Sequence, residues 1–188
     1  RDLSKPMLSL RKARTQKEVE SWVSKMGDKA VINLSPKYDG LACLVEVSDG
    51  KIISAVTRGN GSVGEDVTYA VSNIPGVDIL DNGLHQVEVC MSTENMALLN
   101  EEEDGRDYVH PRNAAAGLLR LSNETIKDKA SYLSIHKHFD AHAFNVTREI
   151  TSTDDIAQVM EIYRDDILEA MATNGQSILL DGVVLFAH

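Results

Sequence analysis

Apolar residues recur at helical spacing in two stretches of this chain and at strand spacing in several others. Thr15 to Lys25 places Val19, Trp22 and Val23 on one stripe, with Thr15 as a candidate N-cap and Glu18 three residues later, the pattern of a short amphipathic helix. Ala30 to Leu34 reads as a short strand, followed by a tight connection over Pro36 to Gly40. Leu41 to Val47 and Lys51 to Thr57 are apolar runs flanking Ser48-Asp49-Gly50, and Asp-Gly between two such runs predicts an antiparallel hairpin. Gln86 to Met91 is a further strand, Thr93 to Asp104 a helix capped by Thr93, and Arg112 to Leu121 a helix rich in helix formers. Tyr132 to Phe144 reads as extended. Asp154 to Thr173 carries the strongest helical stripe, from Ile156 to Met171, and Ser177 to Ala187 returns as a strand interrupted at Asp181-Gly182. Strands and helices mixed with hairpins predict an α+β fold with antiparallel sheets rather than a doubly wound parallel one.

Composition narrows the setting. A chain of 188 residues that is 43% hydrophobic can bury one sizeable core. No run approaches the roughly 18 apolar residues of a membrane span, and the first residues have no apolar stretch of the signal-peptide kind, so the expected setting is cytoplasmic. Cys43 and Cys90, far apart in apolar runs, read as buried free thiols. The net charge of −10 argues against a broad nucleic-acid surface, so any DNA contact is expected to be local or made by other domains. Glu101 to Asp104 and the acidic residues of 154–169 read as solvated helix faces.

Three local patterns bear on chemistry. Gly59-Asn-Gly-Ser-Val-Gly64 fits the G-x-G-x-x-G of dinucleotide-binding folds, with Asp81 near the distance of a ribose-binding acid. The strand before it is the second arm of a hairpin, however, so a glycine-rich surface turn is the expectation. His136, His138 and His142 share one face of an extended segment, but an exposed half-polar strand accounts for them without zinc. Lys37, in Lys37-Tyr-Asp-Gly40, is a candidate nucleophile; such a lysine must lose its proton, and burial or nearby cations favour that loss. Arg58, Arg112 and Arg120 are the cations available to hold a phosphate.

Five blocks in order, Pro6-Met-Leu-Ser-Leu10, Pro36-Lys-Tyr-Asp-Gly-Leu-Ala42, Thr57-Arg-Gly-Asn-Gly61 with Gly64-Glu-Asp-Val67, Pro111-Arg-Asn-Ala-Ala-Ala-Gly117 with Leu119-Arg120, and Asp181-Gly-Val-Val184, resemble NAD-dependent DNA ligases. The resemblance implies a nucleotidyltransferase fold of antiparallel sheets flanked by helices. It further implies that residues 1–188 are the adenylation domain, without the N-terminal nicotinamide-binding subdomain and without the C-terminal motif and OB-fold.

By the same resemblance Lys37 takes AMP from NAD with magnesium, AMP passes to the 5′-phosphate of a DNA nick, and the neighbouring 3′-hydroxyl displaces it. Lys37 and Asp39 are then the expected catalytic residues, the metal ligands being unassigned. Ser9, Leu10, Ser35, Arg58, Glu88, Ser92, Arg112 and Arg120 are the expected nucleotide-binding ones. Nicked double-stranded DNA is the expected partner, reached through additional domains or a second subunit.

Departures from the family pattern are specific. Ser35 stands where a glutamate for the adenine is usual, Cys90 and Ser92 replace an arginine and a glutamate of the Glu-Val-Arg-Gly-Glu strand, and Phe186 occupies the place of a catalytic lysine. They leave open a catalytically degenerate nucleotide-binding relative, or an ATP-using polynucleotide ligase, as alternatives.

Overall fold

The computed structural model describes residues 1–26, 32–102, 107–137 and 178–187. Its elements follow the order α1 (Gln16–Met26), β1 (Ile32–Tyr38), β2 (Leu41–Ser48), β3 (Lys51–Thr57), α2 (Thr68–Ser72), β4 (Gly83–Met91), α3 (Thr93–Asn100), α4 (Pro111–Leu119), α5 (Asn123–Lys129), β5 (Leu133–Lys137) and β6 (Leu180–Ala187), with single 3-10 turns at Val77–Ile79 and Ala130–Tyr132. The chain divides into two compact units.

The first unit, Arg1–Leu8, Tyr38–His138 and Gln176–Leu179, is built on a four-stranded sheet in the order β3-β2-β4-β5. Every neighbouring pair is antiparallel, as the hairpin signal requires. Asp49 and Gly50 both have positive φ, 51° and 68°, the geometry that turns a two-residue hairpin with the native strand twist. Alternation along the strands sends Val87, Val89 and Met91 of β4 and Leu133 and Ile135 of β5 into the core. There they meet Val71 of α2 and Ile74 just after it, together with Leu99 of α3, Ala114, Ala115 and Leu118 of α4 and Ile126 of α5. Helices on one face of an antiparallel sheet bear out the α+β expectation.

The second unit, Ser9–Lys37, Phe139–Gly175 and Leu180–His188, contains α1 and the two-stranded sheet of β1 and β6. The N-terminus of α1 is the predicted capping box. Glu18 Oε2 accepts from Arg14 N at 2.6 Å and from Thr15 N at 3.1 Å, while Glu18 N donates to Thr15 Oγ1 at 3.3 Å. These bonds to the backbone N–H groups hold the Glu18 carboxyl below its usual range.

Several boundaries differ from the sequence reading. Pro36 and Lys37 lie inside β1 rather than in a connection. Among the described residues β1 pairs with β6 alone, so Pro36, which has no N–H to donate, is tolerated where one side of the strand carries no ladder. β6 runs through Asp181-Gly182 without a break, Gly182 absorbing a φ of 117°. α3 is capped by Ser92 rather than Thr93 and ends at Asn100, and α4 ends at Leu119, leaving Arg120 as its C-cap. The predicted helix over 154–173, His138, His142 and the extension of β5 toward Phe144 lie outside the described residues. Among the described residues no helix is long and apolar enough to cross a membrane.

Candidate functional site

In the second unit the nucleophile candidate sits near the end of β1. Lys37 Nζ donates to Asp181 Oδ2 near the start of β6, and the lysine side chain is 27% exposed. The carboxylate fixes the direction of the amine. Ser35, two residues earlier on β1, is buried at 3% exposure. Ser9 and Leu10 lie in an extended segment before α1, and both are exposed. Phe186 is half-buried on β6.

The first unit begins at Tyr38, so Lys37 leads directly into the Asp39-Gly40 turn. That turn is anchored on three sides. Asp39 N donates to Leu179 O at 2.9 Å. Gly40 N donates to Glu88 Oε1 at 3.1 Å, with Glu88 buried on β4. A Cβ on Gly40 would meet Val89 O at 2.2 Å, so only glycine lets the chain pass this close to β4.

The Asp39 carboxylate, 16% exposed, has two cationic or ionisable neighbours from the start of α4. Arg112 Nη2 is 2.5 Å from Oδ1, and His110 Nε2 is 3.6 Å from Oδ2. Oδ1 is buried and the arginine contact, although close, lacks the direction of a hydrogen bond. The oxygen therefore has a charge beside it and no aligned N–H. His110 is the N-cap of α4: its Nδ1 accepts from Arg112 N at 3.2 Å, so the neutral ring carries its proton on Nε2, the atom facing Asp39.

Arg58 opens the glycine loop after β3. Its backbone is held by Arg58 N to Ala42 O and Gly61 N to Arg58 O, both 2.8 Å. Its side chain is exposed and makes no ion pair among the described residues. The loop itself is a compact turn: Asn60 Oδ1 accepts from Ser62 N at 3.0 Å and Val63 N at 2.9 Å, and Gly59 and Gly61 take positive φ. Met7, buried, clips onto it through Met7 N to Gly61 O at 2.9 Å. Among the described residues it belongs to an antiparallel sheet and no parallel β-α unit surrounds it, which argues against the dinucleotide-fold reading.

The remaining candidates are placed as follows. Ser92 is 7% exposed, and its hydroxyl accepts from Asn95 N at 3.0 Å as the cap of α3, a role the sequence comparison with a ribose-binding residue did not foresee. Arg120 pairs with Glu65 rather than joining Arg112 on a helix face. Cys43 and Cys90 are free and fully buried, as expected. Burial, reinforced by the Glu88 charge, pushes the Cys43 thiol up to about 12 and the Cys90 thiol well above its ordinary value, so neither supplies a thiolate. His136 stacks on Tyr38 with ring centroids 4.2 Å apart. Burial holds its pKa down to about 4, keeping it neutral. Among the described residues no three metal-ligating side chains converge.

Asp181, Glu65 and His110 are the partners that sequence reasoning passed over. The first two lie inside blocks quoted for the resemblance, and the third immediately precedes one; each earns its place through a contact between segments far apart in the chain.

A profile of the NAD-dependent DNA ligase adenylation domain matches residues 2–139. The chain is 37% identical over 137 residues to a DNA ligase of Paracoccus denitrificans, covering 64% of this chain and 18% of that protein. It is 36% identical over 156 residues to a DNA ligase of Leuconostoc citreum, covering 77% and 23%. It is 30% identical over 177 residues to a DNA ligase of Novosphingobium aromaticivorans, covering 83% and 24%. The chain thus spans about a fifth of the length of the curated relatives it matches. With a profile match over most of the chain and the antiparallel α+β architecture in place, the chain belongs to the NAD-dependent DNA ligase adenylation-domain family.

Proposed function

We propose that this chain is the adenylation core of a DNA ligase and that Lys37 is the residue that becomes linked to AMP. The observation that carries the reading is the ion pair of Lys37 with Asp181. In the reaction the Nζ lone pair attacks the adenosine-bearing phosphorus of NAD. The ammonium first passes one proton to Asp181 Oδ2, the atom it donates to; then a P–N bond forms, the bond to the bridging oxygen breaks, nicotinamide mononucleotide departs with that oxygen, and Nζ loses its second proton to solvent. Negative charge gathers on the phosphoryl oxygens as the bond forms, and fixed cationic donors stabilise it. Arg58, exposed and without an ion pair among the described residues, and Arg112, which Asp39 engages through Nη2, suit that task. Glu88 supports it indirectly by holding Gly40, and Ser35, Ser9 and Leu10 are the proposed nucleotide contacts of the second unit.

NAD is the proposed AMP donor because the family is defined by that substrate. Magnesium binds phosphate oxygens and water readily and needs few protein ligands. Magnesium is therefore the proposed metal, which would be held largely through the nucleotide's own phosphate oxygens and water. AMP would then pass to the 5′-phosphate of a nicked duplex. A net charge of −10 leaves most of the DNA grip to further domains or a second subunit. A cytoplasmic setting fits an enzyme of DNA with two free thiols.

A second reading, a nucleotide-binding relative that has lost transfer activity, is favoured by Ser92, whose hydroxyl is engaged as a helix cap, and by Phe186 in place of a lysine. One experiment separates the two. The purified chain is incubated with NAD or, in parallel, ATP, with magnesium, and analysed by denaturing mass spectrometry. One AMP on the wild type and none on Lys37→Ala is expected, with NAD the better donor; an adduct that survives Lys37→Ala overturns the assignment.

A further inference from the structure

We infer that Glu65 is a positioning residue, which aims the guanidinium of Arg120 at a phosphate group. The inference rests on the adenylation-domain reading for the use of that phosphate, but its geometry stands separately. Arg120 Nε donates to both carboxylate oxygens of Glu65, at 3.1 Å to Oε1 and 2.8 Å to Oε2. A guanidinium has five N–H donors. The carboxylate therefore occupies one of them and leaves the four on the two terminal nitrogens, which have no partner among the described residues. One N–H from each of the two terminal nitrogens makes the flat edge that matches two oxygens of a phosphate.

Glu65 is itself rigidly held. Its N–H donates to Thr57 Oγ1 at 2.9 Å, and its C=O accepts from Thr57 N at 2.9 Å, so it is sewn to the end of β3, one residue before Arg58. The neighbouring Gly64 approaches so closely that a Cβ there would lie 1.7 Å from Thr57 O. Arg120, by contrast, is the C-cap of α4: its N–H donates to Gly117 O at 3.3 Å, which holds the backbone but leaves the long side chain free to choose its rotamer. A rotamer-rich side chain at a helix end is thus indexed to the strand end that carries Arg58. Stability does not account for the pair. Both side chains are more than half exposed, 59% for Arg120 and 54% for Glu65, and such pairs contribute about 0–1 kcal/mol. Both residues also line an open cavity of about 830 Å³ bounded by α2 and the α4–α5 connection, which leaves room for a ligand beside the free edge.

The phosphate could belong to a nucleotide or to the 5′ end at a DNA nick, and two probes distinguish them: AMP, and a nicked duplex carrying a 5′-phosphate compared with the same nick carrying a 5′-hydroxyl. Affinities are measured for the wild type, Glu65→Ala, Glu65→Gln, Arg120→Ala and the Glu65→Ala/Arg120→Ala double variant, with circular dichroism to verify folding. For at least one probe, each alanine variant should bind about tenfold more weakly, the loss of one charge-assisted contact. The double variant should be no weaker than Arg120→Ala, and Glu65→Gln, which keeps an acceptor oxygen, should recover part of the affinity. If Glu65→Ala weakens binding equally in the Arg120→Ala background, Glu65 is loop scaffold and the inference fails. Absence of an effect, or of binding of either probe by the folded wild type, also overturns it. Lys37 adenylation, scored on the same proteins by mass spectrometry, reports separately on the function reading: loss of the adduct with the coupling intact would sink that reading alone.

Discussion

Arg112 Nη2 stands 2.5 Å from Asp39 Oδ1, joining the second residue of α4 to the turn that follows Lys37. The contact is asymmetric in exposure. Asp39 is 16% exposed whereas Arg112 is 46% exposed, so the carboxylate depends on the arginine more than the reverse. Arg112 is also held at its backbone, since its N–H donates to the His110 ring at 3.2 Å. The two ends of the pair are therefore located by different devices, a helix cap for the arginine and the anchored Asp39-Gly40 turn for the carboxylate.

Removing the arginine should leave a largely buried carboxylate with His110 as its one ionisable partner among the described residues. We expect Arg112→Ala to lower stability by about 1–3 kcal/mol, the cost of stranding a buried polar group, and to slow AMP transfer to Lys37. Arg112→Lys should restore part of the stability, because a cation returns, but less of the rate, because an ammonium lacks the planar fork. Urea midpoints and single-turnover adduct formation on the three proteins check this; unchanged stability in Arg112→Ala would show that Asp39 does not rely on the pair.

How much of this was legible beforehand depends on whether the signal was local. The Asp49-Gly50 hairpin and the Thr15/Glu18 capping box are written within a few residues, and both appear as expected. The glycine loop after β3 was placed correctly because a hairpin arm cannot open a parallel unit. β1 was cut short because Pro36 reads as a turn until the pairing of β1 with β6 is known. α2 and α5, of five and seven residues, are too short for a helical stripe and are held by packing of Val71 and Ile126. The pairings of Asp39 with Arg112, Arg120 with Glu65 and Lys37 with Asp181 join segments remote in sequence, and no spacing rule reaches them. The candidate residues were named through the family's blocks, but their contacts needed the fold.

His136 gives the chain an acid-sensitive element. Its ring is stacked on Tyr38 and its pKa is held down to about 4 by burial, against 6.5 for an exposed histidine. The unfolded chain therefore binds a proton at this ring between those values while the folded chain does not, so stability falls as pH drops through that window. The full difference corresponds to about 3 kcal/mol, and about 2 kcal/mol of it should be lost between pH 6.5 and 5. Asp66, held down to about 2 mainly by hydrogen bonds from Thr68 and then by Arg1, loses its contribution only below its ordinary 3.8, outside this range. Urea midpoints of the wild type and His136→Phe at pH 8, 6.5 and 5 test the assignment. The phenylalanine keeps a ring on Tyr38 without a titrating group, so its midpoint should fall distinctly less; parallel declines would move the acid sensitivity to another residue.

Phe186 bears on whether AMP transfer by this chain is fast. It occupies β6 five residues beyond Asp181, the partner of Lys37, at the place where the family pattern has a lysine. An aromatic ring cannot donate a hydrogen bond to a phosphate oxygen. Loss of one preorganised donor costs about 3–4 kcal/mol of transition-state stabilisation when nothing replaces it, which is about a hundredfold or more in rate. Phe186→Lys should therefore accelerate single-turnover adenylation of Lys37 by about that factor at saturating NAD. The substituted position is half-buried, so the gain should be measured alongside a urea midpoint to separate rate from folding. A distinct acceleration with the midpoint preserved assigns the position to the phosphate. Equal rates in two folded proteins would mean that another cation already holds the phosphate.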